Sequence, residues 1–197
     1  MRVYTNDPLV SPVTAQEFAD WQRLDDTSDP TIAPLLLTAT QAVIDWIQRD
    51  LLPRNWVLTH EHWPSIGKTY KSLAPSEAHL KREIELPYGG TTAITDIMAY
   101  GELVDSADYR LVDNLPSLVK FDQCFTYKDD APALVINYTN QLGATTADIP
   151  DVIKSAIKMI AGFIYDHRGG CDTDEALTKS GAKALLQPWR VGAGTTL

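Results

Sequence analysis

The chain has only two cysteines, Cys124 and Cys171, in 197 residues. That is too few for a disulfide scaffold and fits a reducing compartment. It has no apolar run of membrane-spanning length, and its first ten residues, MRVYTNDPLV, lack the pattern of a secretory signal. Positive charge is in short supply: 17 Lys and Arg stand against 26 Asp and Glu, a net charge of −9. Such a chain is a poor candidate for wrapping nucleic acid, whose phosphates repel it. It carries no phosphate-binding loop, dinucleotide-binding glycine fingerprint, zinc-protease motif or G-x-S-x-G elbow. Internal repeats and low-complexity tracts are missing too. What remains, 44% hydrophobic and 22% charged residues, is the composition of a folded globular domain. At this length a core forms without disulfides or metal.

The acidity is uneven. Residues 1–60 hold four basic and eight acidic groups, residues 61–150 seven and thirteen, and residues 151–197 six and five. The last quarter is nearly neutral, as in a protein that shows different faces to different partners, although a solvated acidic surface gives the same split.

Val13-Thr14-Ala15-Gln16-Glu17-Phe18 predicts a helix over about 15–23. Thr14 and Glu17 have capping-box spacing, and Val13 and Phe18 stand at the staple positions. A polar turn through Asp25, Asp26 and Asp29-Pro30 leads to a long helix. Ile32, Leu36, Ala39, Val43, Ile47 and Leu51 recur every three or four residues, which predicts helix to about Leu51 with Pro53 as its stop. Residues 55–148 read as strands: 56–63, 84–86, 92–100, 109–112, 118–121 and 133–138. Gly101-Glu102 reads as a hairpin turn, and simple alternation sets Ile94 and Met98 on one face with Thr95, Ile97 and Ala99 on the other. Ile153, Ile157, Ile160 and Ile164 predict a helix from Pro150 to about 168, ended by Gly169-Gly170. A last helix covers about 174–186 and can break at Gly181. The fold class is therefore α+β: a single domain over 1–197, with two N-terminal and two C-terminal helices around an inserted antiparallel β module at about 55–148.

Four features invite a chemical reading. His60 and His62 would share one face of a strand and could meet on a metal, with His79, Cys124, Asp129 or Asp130 completing a hydrolytic site. Solvent-facing histidines and a solvated Asp129-Asp130 turn explain the same residues, and no second motif marks a metal. Cys124 has no neighbouring histidine or basic cluster to activate it, and Cys124 and Cys171 read as structural thiols. The segment 64–82 carries Lys68, Lys71, Lys81 and Arg82 against Glu77 alone. It is either a basic arm toward an acidic partner or an ordinary solvated loop. Finally, Pro188-Trp189-Arg190-Val191 precedes a tail, Gly-Ala-Gly-Thr-Thr-Leu, with no core-forming pattern. Trp189 either covers the core or, with Arg190, anchors a partner, and residues 187–197 are expected to gain order only against one.

The order and spacing of several strings are similar to one family. They are Pro12-Val13-Thr14-x-x-Glu17 with Asp25-Asp26, then Arg49-Asp50-Leu51-Leu52 running into Trp56 and Leu58. In the middle stand Ile84-Glu85-Leu86-Pro87, Ile94-x-x-Ile97-x-x-Tyr100-Gly101 and Asp108-Tyr109-Arg110-Leu111. Last come Ile149-Pro150-x-x-Ile153-x-x-Ala156-Ile157, Tyr165-x-x-Arg168 and Ala184-Leu185-Leu186-x-Pro188-Trp189-Arg190-Val191. In these the chain resembles the head–tail connector (adaptor, or head-completion) proteins of tailed bacteriophages; the stretch 64–82 departs from their pattern.

The resemblance implies a structural virion protein made in the host cytoplasm, with no enzymatic activity, no cofactor, no metal and no membrane. It implies a ring, a dodecamer to match the portal, that docks under the portal protein, extends the DNA channel and offers a surface to tail or neck proteins. Packaged DNA would pass without specific binding; twelve copies at −9 each carry about −108 formal charges. Pro188, Trp189, Arg190 and Val191 are then candidates for the portal interface. Lys68, Lys71, Lys81 and Arg82 are candidates for contact with another protein. The competing readings are another neck or tail-terminator protein, expected to be mostly β, and a metal-dependent hydrolase built on His60 and His62.

Overall fold

The structure is a computed structural model and describes residues 1–25, 29–64, 82–112, 114–122, 125, 131–167, 170 and 172–191. The chain divides into two compact units. One, mostly β, is formed by Met1–Asp7 and Arg54–Asn140; the other, helical, by Pro8–Pro53 and Gln141–Leu197. The fold is α+β, as expected. The β unit ends at Asn140 rather than 148 and takes in the first seven residues.

The helical unit begins with α1 (Ala15–Gln22). Its capping box forms as the sequence requires: Glu17 N–H donates to Thr14 Oγ1 at 3.1 Å, and Thr14 N–H donates to Glu17 Oε2 at 2.7 Å. Val13 and Phe18 are both buried. The second helix, α2 (Ile32–Ile47), is shorter than expected. Pro34 lies in its first turn, where the missing N–H costs nothing. Its end comes at Gln48, which takes a left-handed conformation at φ 56° and donates its N–H to Ile44 O. Pro53 is therefore not the stop, and Leu51 is buried beyond the helix. The rod is about 24 Å long rather than about 30 Å. Ile32, Leu36, Ala39, Val43 and Ile47 all face the core.

Helix α3 (Asp151–Asp166) buries Ile153, Ile157 and Ile160 and ends one turn before the glycines expected to stop it. Burying each of these isoleucines contributes about 1.5–3 kcal/mol. Helices α1 and α3 meet closely at Gly162, where a Cβ would fall 2.9 Å from Trp21 Cζ3. The C-terminal helical segment is broken, as Gly181 allowed: α4 (Thr173–Lys179) and α5 (Ala182–Leu186) flank Gly181 at φ +82°. The described helices thus number five, not the four expected.

The β unit holds two antiparallel sheets. The strands are β1 (Arg2–Tyr4), β2 (Arg54–His60), β3 (Glu83–Glu85), β4 (Thr91–Ala99), β5 (Glu102–Leu103), β6 (Tyr109–Val112), β7 (Leu118–Phe121) and β8 (Leu134–Asn140). One sheet runs β1-β2-β8-β4-β5 and the other β3-β7-β6. No strand is expected at residues 2–4, where β1 forms, and the strand expected to reach Trp63 ends three residues earlier, at His60.

Strand β4 departs from simple alternation for a clear reason. Register shifts between Thr91 and Ala93 and between Ile94 and Asp96 place Thr91, Ile94 and Ile97 opposite Asn140, Tyr138 and Ile136. Those three partners share one buried face of β8. Each irregularity adds a residue and resets the parity of the strand. Ile94 therefore belongs with Ile97 on the inner face, while Met98 points outward, correcting the expected pairing of Ile94 with Met98.

Strands β4 and β5 are joined by Tyr100 and Gly101, at φ 49° and 81°, the signature of a tight type I′ hairpin. Tyr100 is held there by packing: it is 7% exposed and stacks on Trp63 at 6.1 Å. Trp63 also meets Phe121 at 5.4 Å and Phe125 at 5.2 Å, in a core shared by both sheets.

Candidate functional site

The C-terminal string is already folded. Gln187–Trp189 form a 3-10 turn directly after α5, and Val191 N–H donates to Ile47 O at 2.8 Å, using a carbonyl at the C-terminal end of α2. Helix ends leave such carbonyls without partners inside the helix, so the returning chain caps α2. This corrects the expectation that residues 187–197 gain order only at a partner: Gln187–Val191 are ordered within the helical unit, and 192–197 lie outside the described residues. Pro188 and Arg190 are exposed, and Trp189 and Val191 are half-buried.

Trp46 organises this end of the unit. Lys183 Nζ lies 4.3 Å and Arg190 Cζ 4.5 Å from its ring centroid. The ring's negative face attracts both cations, so the aromatic ring ties α5 and the C-terminal string to α2. Beside it, an open groove of about 270 Å³ is lined by Ala42, Asp45, Trp46, Thr173, Asp174 and Leu177. Neither Trp46 nor Lys183 belongs to a motif in the sequence. Trp46 follows the stripe residue Val43 by three positions, the spacing that marks it as flanking the buried face of α2.

The other expected residues are not brought together. Lys68, Lys71 and Lys81 lie outside the described residues. Arg82 is exposed beside the three-stranded sheet; its Nη1 donates to Asp122 O at 3.4 Å, and its carbonyl accepts Phe121 N–H at 2.8 Å. His60 ends β2 and is half-buried, whereas His62 is exposed past the end of the strand. The two do not share the strand face on which a metal pair depends. Burial holds the His60 imidazole below its ordinary pKa and favours the neutral ring. His79, Cys124, Asp129, Asp130 and Cys171 lie outside the described residues. Among the described residues no group of three His, Cys, Asp or Glu is placed to hold a metal.

A third feature is polar and buried. Asn140 Oδ1 accepts Thr91 Oγ1–H at 2.8 Å, and Asn140 Nδ2 donates to Pro87 O at 3.0 Å. Thr91 N–H donates in turn to Ser117 Oγ at 3.0 Å. The chain joins the five-stranded sheet to the loops that flank the second sheet. Buried donors and acceptors that are all satisfied in this way give rigidity to a surface rather than chemistry.

No family model and no curated protein matches the chain. Solved structures do share its fold along its whole length. A chain in the neck of an empty gene transfer agent particle, computed with C6 symmetry, aligns with a TM-score of 0.74 at 16% identity, covering 100% of this chain and 99% of that one. A chain in the neck of the native particle, computed with C12 symmetry, gives 0.71 at 17% identity with the same coverage. The virion of the native gene transfer agent particle gives 0.72 at 16% identity, again with 100% and 99% covered. At such identities the likeness establishes a shared fold.

Proposed function

We propose that the protein is a structural neck component of a phage-like particle, a ring-forming head–tail connector. The observation that carries this reading is the full-length fold likeness to chains of a particle neck, one of them in a structure computed with C12 symmetry. In this reading twelve copies form a ring beneath the portal, continue the DNA channel and present the tail or neck proteins with a surface to attach to. The protein does no chemistry: it is a spacer and a docking ring. With −9 on each copy, acidic groups facing the channel repel DNA phosphates, so the duplex passes without sticking.

Pro188, Trp189, Arg190 and Val191 are proposed to face the portal. The support is their place at the end of α2, where an ordered turn exposes Pro188 and Arg190. Lys68, Lys71, Lys81 and Arg82 are proposed to meet an acidic protein surface outside the channel, since a ring of cations lining it would retard DNA.

The test is electron microscopy and mass photometry of the purified protein, alone and with the portal protein of the same particle. The expected result is a monomer or small oligomer alone and a twelve-fold ring on the portal. A tight two-fold dimer that never forms a ring would refute the reading.

A further inference from the structure

The three-stranded sheet carries charge on its outer face in an order that its own strands leave incomplete. The register aligns Glu83 of β3, Lys120 of β7 and Arg110 of β6 in one row, and Glu85, Leu118 and Val112 in the next. Ile84, Val119 and Phe121 are buried, and Leu111 packs against the same core, so both rows lie on the face turned away from it. Lys120 Nζ meets Glu83 Oε1 at 2.5 Å. Arg110 stands directly across from Lys120, an unfavourable pair of like charges, and among the described residues it makes no hydrogen bond or ion pair. Glu85, exposed on the opposite margin, makes none either among those residues.

Both outer strands are also open along their backbones. Leu86 N–H donates to Ser117 O and Phe121 N–H to Arg82 O, so by alternation Glu83 and Glu85 turn their peptide groups away from β7. Asp122 N–H donates to Asp108 O, so Tyr109 and Leu111 do the same on the far side. An edge strand offers such groups to another chain. Among the described residues no strand lies beyond β3 or β6.

We propose that β6 of one copy pairs in parallel with β3 of the next, joining copies head to tail through this sheet. The partner is a second copy of this chain, selected by backbone parity and by charge together. On β6 the outward peptide groups belong to inner-face residues, Tyr109 and Leu111; on β3 they belong to outer-face residues, Glu83 and Glu85. In a parallel pair a residue bonds to the two that flank its opposite number. Leu111 or Tyr109, bonded to Glu83 and Glu85, therefore falls opposite Ile84, inner face against inner face. Arg110 then falls opposite Glu83 in the first register and opposite Glu85 in the second. An antiparallel β6–β3 pair would oppose Leu111 to a glutamate and turn one sheet over. Like edges can match faces, but β6 on β6 sets Arg110 against Arg110, and β3 on β3 sets glutamates against glutamates. Unlike edges meeting is the heterologous contact that a closed ring requires, whereas like edges meeting gives a two-fold dimer.

Strands this short supply about two or three ladder hydrogen bonds, while a stable interface buries about 1,200–2,000 Å². The edge joint therefore sets the direction of the ring, and other surfaces supply the rest of the contact. The inference rests on the ring reading above.

The experiment uses the full chain with its portal and compares Arg110→Glu, Glu85→Arg and the double variant; Glu83 is kept because it holds Lys120. Each single swap is expected to raise the protein concentration for half-maximal ring assembly about tenfold, less so at high salt. The double swap, which restores opposite charges, is expected to return it to within about threefold of the parent. Arg110→Glu sets an acid across from Lys120, so the melting temperature of its free chain is expected to match or exceed the parent's while its assembly falls. A second measurement needs no variant: amide exchange in residues 83–85 and 109–112 of the parent is expected to slow about tenfold or more in rings relative to the free chain. Unaltered assembly by both single swaps, a double swap no better than the worse single, or equal exchange in rings and free chain overturns the pairing. A parent chain that forms no ring on its portal overturns the ring reading itself, whereas parent rings with indifferent swaps overturn the edge pairing alone.

Discussion

Replacing Trp46 with leucine keeps an apolar body on α2 and removes the aromatic face beneath Lys183 and Arg190. A cation over an aromatic ring at an exposed site contributes about 0.5–1 kcal/mol, and two such cations, at 4.3 and 4.5 Å, contribute about 1–2 kcal/mol together. The smaller side chain gives up about another 1 kcal/mol of buried apolar surface. Against this, the Trp46 indole N–H is buried without an acceptor among the described residues, and leucine relieves that desolvated donor, returning about 1 kcal/mol. The net expected loss is about 1–2 kcal/mol. The assay is urea unfolding followed by far-ultraviolet circular dichroism, with double-mutant cycles to Lys183→Met and Arg190→Met. Each cycle is expected to give a coupling of about 0.5–1 kcal/mol with Trp46. Deleting residues 188–197 removes Arg190 and the Val191 to Ile47 hydrogen bond, so it is expected to cost the parent more than it costs the Trp46→Leu chain. Leucine at 46 with no measurable loss, together with couplings near zero, would refute the view that this ring ties the C-terminal string to α2.

Two further outcomes follow from the β unit. Asn140→Leu strands the buried Thr91 hydroxyl and leaves the Pro87 carbonyl only the longer hydrogen bond from Tyr138 Oη at 3.4 Å, and a loss of about 1–3 kcal/mol is expected in urea unfolding; a loss under about 0.5 kcal/mol would remove that network from the account of the fold. His60 has its pKa lowered from 6.5 by burial, so as pH falls below about 6.5 the unfolded chain takes up a proton that the folded chain resists, and stability declines. Full stability lies above that pH. His60→Gln is expected to flatten the slope of the urea midpoint between about pH 5 and 7, and an unaltered slope would count against burial as the cause.

The sequence by itself determined what is local. The Thr14–Glu17 capping box closes within one helical turn, so its partners are legible three residues apart. The stripes of α2 and α3 repeat with the helical period, and their buried faces follow directly. The break at Gly181 rests on a backbone conformation that glycine admits and is readable in place, whereas the hairpin expected at Gly101-Glu102 turns one residue earlier, at Tyr100-Gly101, because packing holds Tyr100 at positive φ. The α+β class follows from the order of those elements.

Tertiary structure decided the rest. Gln48 enters the left-handed region to end α2, a position where no glycine or proline announces a stop, and Leu51 is buried beyond it. Strand β4 carries two irregularities because Thr91, Ile94 and Ile97 must meet alternate residues of β8, which lies some forty positions away. Residues 2–4 are too few to declare themselves as a strand; they become one by pairing with β2. Trp46 lies more than 130 positions along the chain from both Lys183 and Arg190, and they meet because α5 and the returning C-terminal string pack at the end of α2. Periodicity reports what one element needs, but contacts between distant segments depend on where the packed elements put them, and no short window of sequence encodes that.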